Sequence, residues 1–118
     1  MSAPPDGDSI ELEPERVAAL LTAQPAPQLI DVREPYERQA GHIADSRHVE
    51  LIRLSAEADT IERERTVIFY CRVGARSLMA AQALRAAGYQ AYSMNGGLVR
   101  WAQEDRPLSP EGGYVADH

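Results

Sequence analysis

The stretch TVIFYCRVGARSLMAAQALRAAG, residues 66–88, constrains the fold more than any other part of this 118-residue chain. TVIFY at 66–70 is uncharged and carries β-branched and aromatic side chains, which predicts a central strand. SLMAAQALRAAG then predicts a strong helix, rich in Ala, with Leu78, Ala81, Leu84 and Arg85 marking its turns and Gly88 at its C′ position. Only the six residues CRVGAR, 71–76, separate the two. The chain must therefore leave a buried strand and enter a helix within one tight loop, and that loop holds its single Cys.

The flanking segments repeat the alternation. IEL after Ser9 predicts an edge strand, and Pro14 at a helix N1 position opens ERVAALLTA, which must stop before Pro25 and Pro27. QLIDV at 28–32 reads as a buried strand, EPYERQAGHI as a helical turn ending at Gly41, and RHVEL as another short strand. SAEADTIERER predicts irregular helix, YQAYSMNGG a strand and glycine turn, and LVRWAQED a last helix before Pro107. Strands alternating with helices indicate an α/β fold on a parallel sheet buried on both faces, with right-handed crossovers. One domain over 9–108 is expected, between a mobile leader at 1–8 and a mobile tail at 109–118.

Composition removes several function classes. The formal charge of -6 disfavours a nucleic-acid partner, because phosphate binding needs a basic face. One Cys can form neither an internal disulfide nor a Cys-rich zinc site, and the three His lack ligand-like spacing, so no metal is expected. No signal peptide and no apolar run long enough to cross a bilayer is visible, which gives a cytoplasmic location without membrane contact as the expectation. A free thiol stays usable there.

Cys71 is then the candidate functional group. The order of elements places it at the carboxyl end of a central strand, where open parallel sheets bind ligands, and just before the unpaired amides and positive dipole end of a helix. A loop containing Gly74 can curl so that those amides converge on one anion, and a thiolate is the anion available. A packed core thiol is the competing reading, since free Cys is among the most buried residue types. Arg72, Gly74 and Arg76 around it favour a nucleophile or sulfur carrier activated without a His base.

These residues resemble the rhodanese family of sulfurtransferases over about 9–108. The resemblance rests on CRVGAR, on LIDVREPYE at 29–37, on GHI at 41–43 and on NGGLVRW at 95–101 followed by RPL, in that order. It implies a three-layer fold with a central, mostly parallel five-stranded sheet flanked by helices. The implied activity is transfer of a sulfane sulfur through a Cys71 persulfide, from a small anionic donor such as thiosulfate to cyanide or a thiol. The thiol could belong to a thioredoxin-like protein, and no cofactor is needed. Arg72, Val73, Gly74, Ala75, Arg76 and Ser77 would form the anion cradle. Related phosphatases have a loop one residue longer, so the six-residue length implies sulfur chemistry; a thiolate phosphatase, an arsenate reductase or a non-catalytic interaction module are the alternatives.

Asp31 and Arg33, at a strand end, are expected to form a structural ion pair, and His42 a hydrogen-bonded loop contact. The resemblance places Asn95, Gly96 and Gly97 near the active end, where glycine permits close backbone approach. Glu34 and Glu37 read as a solvated first-turn face, and Trp101 and Tyr70 as packing residues. After GHI the chain departs from the family pattern: ADSRHVEL puts Arg47 and His48 where small apolar residues are common.

Overall fold

The computed structural model describes residues 9–118, so the leader expected at 1–8 lies outside the described residues. The elements in chain order are β1 Glu11–Leu12, α1 Pro14–Leu21, β2 Gln28–Asp31, α2 Pro35–Ala40, β3 Arg47–His48, α3 Leu54–Glu57, β4 Val67–Tyr70, α4 Ala75–Ala86, β5 Ala91–Met94 and α5 Gly97–Gln103. The five strands form one sheet in the order β1-β5-β4-β2-β3, and every pairing is parallel.

β4 is central because it can be buried on both faces, and its alternation divides the core in two. Val67, Phe69 and Cys71 join Ile30, Val32, Leu54, Ala80, Ala81 and Leu84 on the side of α3 and α4. Ile68 and Tyr70 join Leu12, Val17, Leu29, Met94, Leu98 and Trp101 on the side of α1 and α5. The side-chain period of two thus sends Cys71 to the face that α4 covers. Burying a side chain such as Phe69 completely contributes about 1.5–3 kcal/mol.

Two local readings differ from the sequence expectation. The helical region after β3 starts earlier, at Leu51, and runs through a 3-10 turn, α3 and a second 3-10 turn to Thr60. Gly41 ends α2 with φ at 177°, which is extended backbone and not a left-handed cap. Its need for glycine comes from packing: a Cβ there would stand 2.4 Å from the Tyr114 carbonyl oxygen.

That contact belongs to residues 109–118, expected to be a mobile tail, which have defined contacts in the structure. His42 and Ser109 exchange backbone hydrogen bonds of 2.9 and 2.7 Å, and the Tyr114 amide donates to the Ala40 carbonyl at 2.9 Å. Val115 packs against the α1/α5 core, and the Tyr36 hydroxyl donates to the Asp117 carbonyl at 3.1 Å. Among the described residues no helix is long and apolar enough to cross a membrane.

Candidate active site

Cys71 ends β4 with its side chain 1% exposed, in the core yet directly beneath the turn into α4. The helix starts earlier than expected, at Ala75, with Gly74 as its N-cap at φ 110°, a left-handed conformation that glycine adopts without penalty. That turn folds the chain back over the sulfur. The Gly74 amide lies 3.1 Å from Sγ and the Ser77 amide 3.4 Å, so two backbone donors converge on one atom. The Ser77 hydroxyl is 3.5 Å from Sγ, within reach of the Gly74 carbonyl at 3.2 Å, and 2.7 Å from the Ser93 hydroxyl of β5. Ser93 was not legible as a site residue; its one signal is a hydroxyl inside an otherwise apolar strand, beside Phe69 in the sheet register.

The other end of the loop is fixed by α5. The Leu98 amide donates to the Cys71 carbonyl at 2.9 Å and the Val99 amide to the Arg72 carbonyl at 3.0 Å. This approach is open only to glycine at 97: φ there is 61°, and a Cβ would stand 2.4 Å from the Arg72 oxygen and 2.7 Å from the Cys71 oxygen. Gly96, at φ 78°, caps the same helix. Sulfur, loop and the first turns of two helices are thus joined by hydrogen bonds into one unit.

The two loop arginines occupy different surroundings. Arg76 makes a bidentate ion pair with Glu37, at 2.8 Å from Nη1 to Oε1 and 2.9 Å from Nη2 to Oε2. Glu37 is therefore not a solvated residue: its side chain is 0% exposed, and Oε1 also accepts the Glu34 amide at 3.1 Å in a capping box. The expectation failed because Pro35 starts α2 so that Glu37, on its first turn, faces inward to the loop 39 residues further along. Burial pushes the Glu37 carboxyl up, but the Arg76 hydrogen bonds and the Glu34 amide outweigh it and hold the group below its ordinary value of 4.5. Arg76 is raised above its ordinary value chiefly by the Glu37 hydrogen bonds, against desolvation, with a smaller Coulombic contribution from the Cys71 sulfur. Arg72 is partly exposed and stands 3.4 Å from Asp117, while its Nε is buried without a hydrogen-bond partner among the described residues. Val73 is exposed, at 53%, and Ala75 is exposed as well.

Beside the loop opens a cleft of about 370 Å³ lined by Val32, Glu34, Glu50, Leu51, Ile52, Arg76 and His118. His118 Nε2 is 3.0 Å from Glu34 Oε2. Glu34, Glu37 and His118 bring three potential ligand atoms within 4.8 Å of one another. Both Glu37 oxygens are already held by Arg76, so ion pairing and capping account for the group without a metal.

Asp31 ends β2 and Arg33 follows it, and among the described residues neither is hydrogen-bonded to Sγ. Their side chains are 0% exposed and meet through Nε to Oδ1 and Nη2 to Oδ2, each 2.9 Å, and Arg33 Nη2 also donates to the Gly41 carbonyl at 2.7 Å. The pair thus ties β2 to the end of α2, which carries Glu37. The Tyr70 hydroxyl, pushed up to about 12 by burial and then by Asp31, bonds Ser46 at 2.9 Å and receives the Ile43 amide at 3.0 Å. His42 is held by its Nδ1 at 3.0 Å from the Arg38 carbonyl. Arg47 reaches Glu57 and Thr60, His48 Nε2 lies 2.7 Å from the Arg33 carbonyl, and the Trp101 indole donates to the Pro107 carbonyl at 2.8 Å.

A family model described as "Rhodanese-like domain" matches residues 13–104. A "Sulfurtransferase" of Allochromatium vinosum is 32% identical over 104 residues, covering 86% of this chain and 97% of that protein. An uncharacterized Bacillus subtilis protein, YqhL, is 41% identical over 75 residues, or 63% of this chain and 60% of its own length. Among solved structures, a rhodanese-related protein of Thermoplasma volcanium superposes with a TM-score of 0.77 at 26% identity, over 83% of this chain and 95% of that one.

Proposed function

This chain belongs to the rhodanese-like domain family, and from that membership we propose that it is a sulfurtransferase whose Cys71 carries the transferred sulfur as a persulfide. The observation that carries the proposal is the convergence of the Gly74 and Ser77 amides on Sγ. Backbone donors at a helix start stabilise an anion without a proton-transfer partner, and both the thiolate and the persulfide are anions.

With thiosulfate as donor, the Cys71 thiolate attacks the outer, sulfane sulfur. A new S–S bond forms, the S–S bond of the donor breaks, and its electron pair leaves with sulfite. The persulfide then holds one additional sulfur beneath the loop, where the amides at the start of α4 lack intrahelical partners. An acceptor, cyanide or a thiolate, attacks that outer sulfur and returns the Cys71 thiolate. The bonds from Leu98 and Val99 keep the loop in one shape for both half-reactions, so little reorganisation is needed when charge moves from one sulfur to the next. The six residues from Cys71 to Arg76 support sulfur over phosphate as the group carried.

The test is intact-mass measurement after incubation with thiosulfate. The expected result is one added sulfur on the wild-type chain, removed by cyanide, and none on Cys71→Ala. A wild-type chain left unmodified both by thiosulfate and by a small-molecule persulfide, under conditions that load another rhodanese, would overturn the proposal.

A further inference from the structure

Two arginines in the loop suggest a site that attracts anionic donors, yet the cleft beside the loop is acidic. Its guanidinium, Arg76, is neutralised from behind by the fully buried Glu37 through two short bonds. Its walls add Glu34 and Glu50. Glu50 precedes a 3-10 turn without capping it by its side chain, and no ion pair holds it among the described residues. Three carboxylates therefore stand against one guanidinium. His118, beside Glu34, adds at most one positive charge, so the cleft is net negative with the imidazole in either state. Arg72, the other loop cation, is outside this cleft and faces Asp117.

We infer that Glu50 and Glu34 set the donor specificity of this site: they select against dianionic donors such as thiosulfate and favour persulfides of thiols that carry no further negative charge. The inference rests on the sulfur-transfer reading above and names its substrate class. Charge bookkeeping gives the reason. Attack of the thiolate on thiosulfate gathers three negative charges, which end as sulfite dianion and the persulfide anion. A persulfide donor brings one negative charge as R–S–S⁻ or none as R–S–SH, against two for thiosulfate. Attack on the protonated form breaks its S–S bond, forms the new S–S bond at Cys71 and releases RS⁻, which takes up the proton, giving Cys71–S–S⁻ and RSH. Arg76, the last residue of the loop that starts at Cys71, lines the cleft, so a donor reaching the loop from this side passes Glu34 and Glu50, and each extra negative charge slows its entry. The uncharged wall of Val32, Leu51 and Ile52 suits the carbon chain of such a thiol.

The experiment compares three persulfides with a two-methylene spacer between sulfur and head group, those of 2-aminoethanethiol, 2-hydroxyethanethiol and 3-mercaptopropionic acid, with thiosulfate as a fourth donor. Initial rates of sulfur gain at Cys71 are followed by intact mass for the wild type, Glu50→Gln and Glu64→Gln. Glu64 is exposed before β4, at the opposite end of the sheet from the loop, and controls for net charge alone. The ratio of variant to wild-type rate for each donor cancels intrinsic differences in leaving-group chemistry. E50Q should raise loading by thiosulfate and by the carboxylate persulfide about threefold and lower loading by the ammonium persulfide by a similar factor. E64Q should leave all ratios near one, and added salt should bring the E50Q ratios toward one. Ratios equal for all four donors, or the same pattern with E64Q, would overturn the inference while leaving sulfur transfer intact. Failure of every donor to load the wild type would overturn both.

Discussion

Replacing Glu37 by Gln tests the link between α2 and the loop most directly. The side chain keeps its volume and one oxygen for the Glu34 amide, but loses the charge that holds both Arg76 nitrogens at 2.8 and 2.9 Å. A hydrogen bond to a charged group contributes about 1.5–3 kcal/mol, and removing one partner of a fully buried pair costs about 3–5 kcal/mol. Arg76 is 18% exposed and can turn into the cleft to recover water, which places the expected loss lower, at about 2–3 kcal/mol. At a urea m-value of about 1–1.5 kcal/mol/M for a domain of this size, the midpoint should fall by roughly 2 M. Trp101 is the sole Trp and is buried, so its fluorescence reports the transition. Because Glu37 is held below its ordinary 4.5, its stabilisation is complete above that pH and is lost as pH falls through the lower folded value. The gap between wild type and E37Q should therefore stay constant above about pH 4.5 and narrow below it. A midpoint unchanged within error, or a gap that widens in acid, would refute the reasoning.

Other positions give further expectations. Gly97→Ala should lose about 3 kcal/mol, from left-handed backbone strain and the displaced bonds of Leu98 and Val99, and should slow sulfur loading at least about tenfold by loosening the loop. Urea melts and loading rates check it, and wild-type loading in the variant would show that α5 does not position the loop. Gly41→Ala should displace the 109–118 segment, because its Cβ falls 2.4 Å from the Tyr114 oxygen while its φ of 177° suits any residue. Faster chymotrypsin cleavage at Tyr114, with a stability loss of about 1–2 kcal/mol, is the expected outcome; an unchanged digestion pattern would contradict the packing account.

The elements that proved legible in the sequence are those whose signals are local. β4 and α4 follow from uninterrupted apolar and Ala-rich runs, and the Gly74 turn between them from a short loop that must bend. The α/β class follows from the alternation of strands and helices along the chain, and the rhodanese likeness from CRVGAR together with LIDVREPYE, GHI and NGGLVRW. What remained hidden depends on where distant segments meet. Glu37 looks like any exposed first-turn acid until α2 is placed against residue 76, and Ser93 is an ordinary strand hydroxyl until β5 lies beside β4. The Pro- and Gly-containing sequence of 109–118 has the composition of a loose end, and only the Cβ-free surface of Gly41 reveals what it packs against.

Both margins of the sheet are short: β1 and β3 contribute two residues each. A strand of that length offers an incoming chain only one or two free backbone groups, too few to seed an additional strand. The sheet therefore closes itself to recruitment while its functional loops remain open at the carboxyl ends of the strands. Such a unit can sit next to another domain, or beside many copies of itself at high concentration, with little tendency to exchange strands. At that end of the sheet the loop residues Val73 and Ala75 stay exposed.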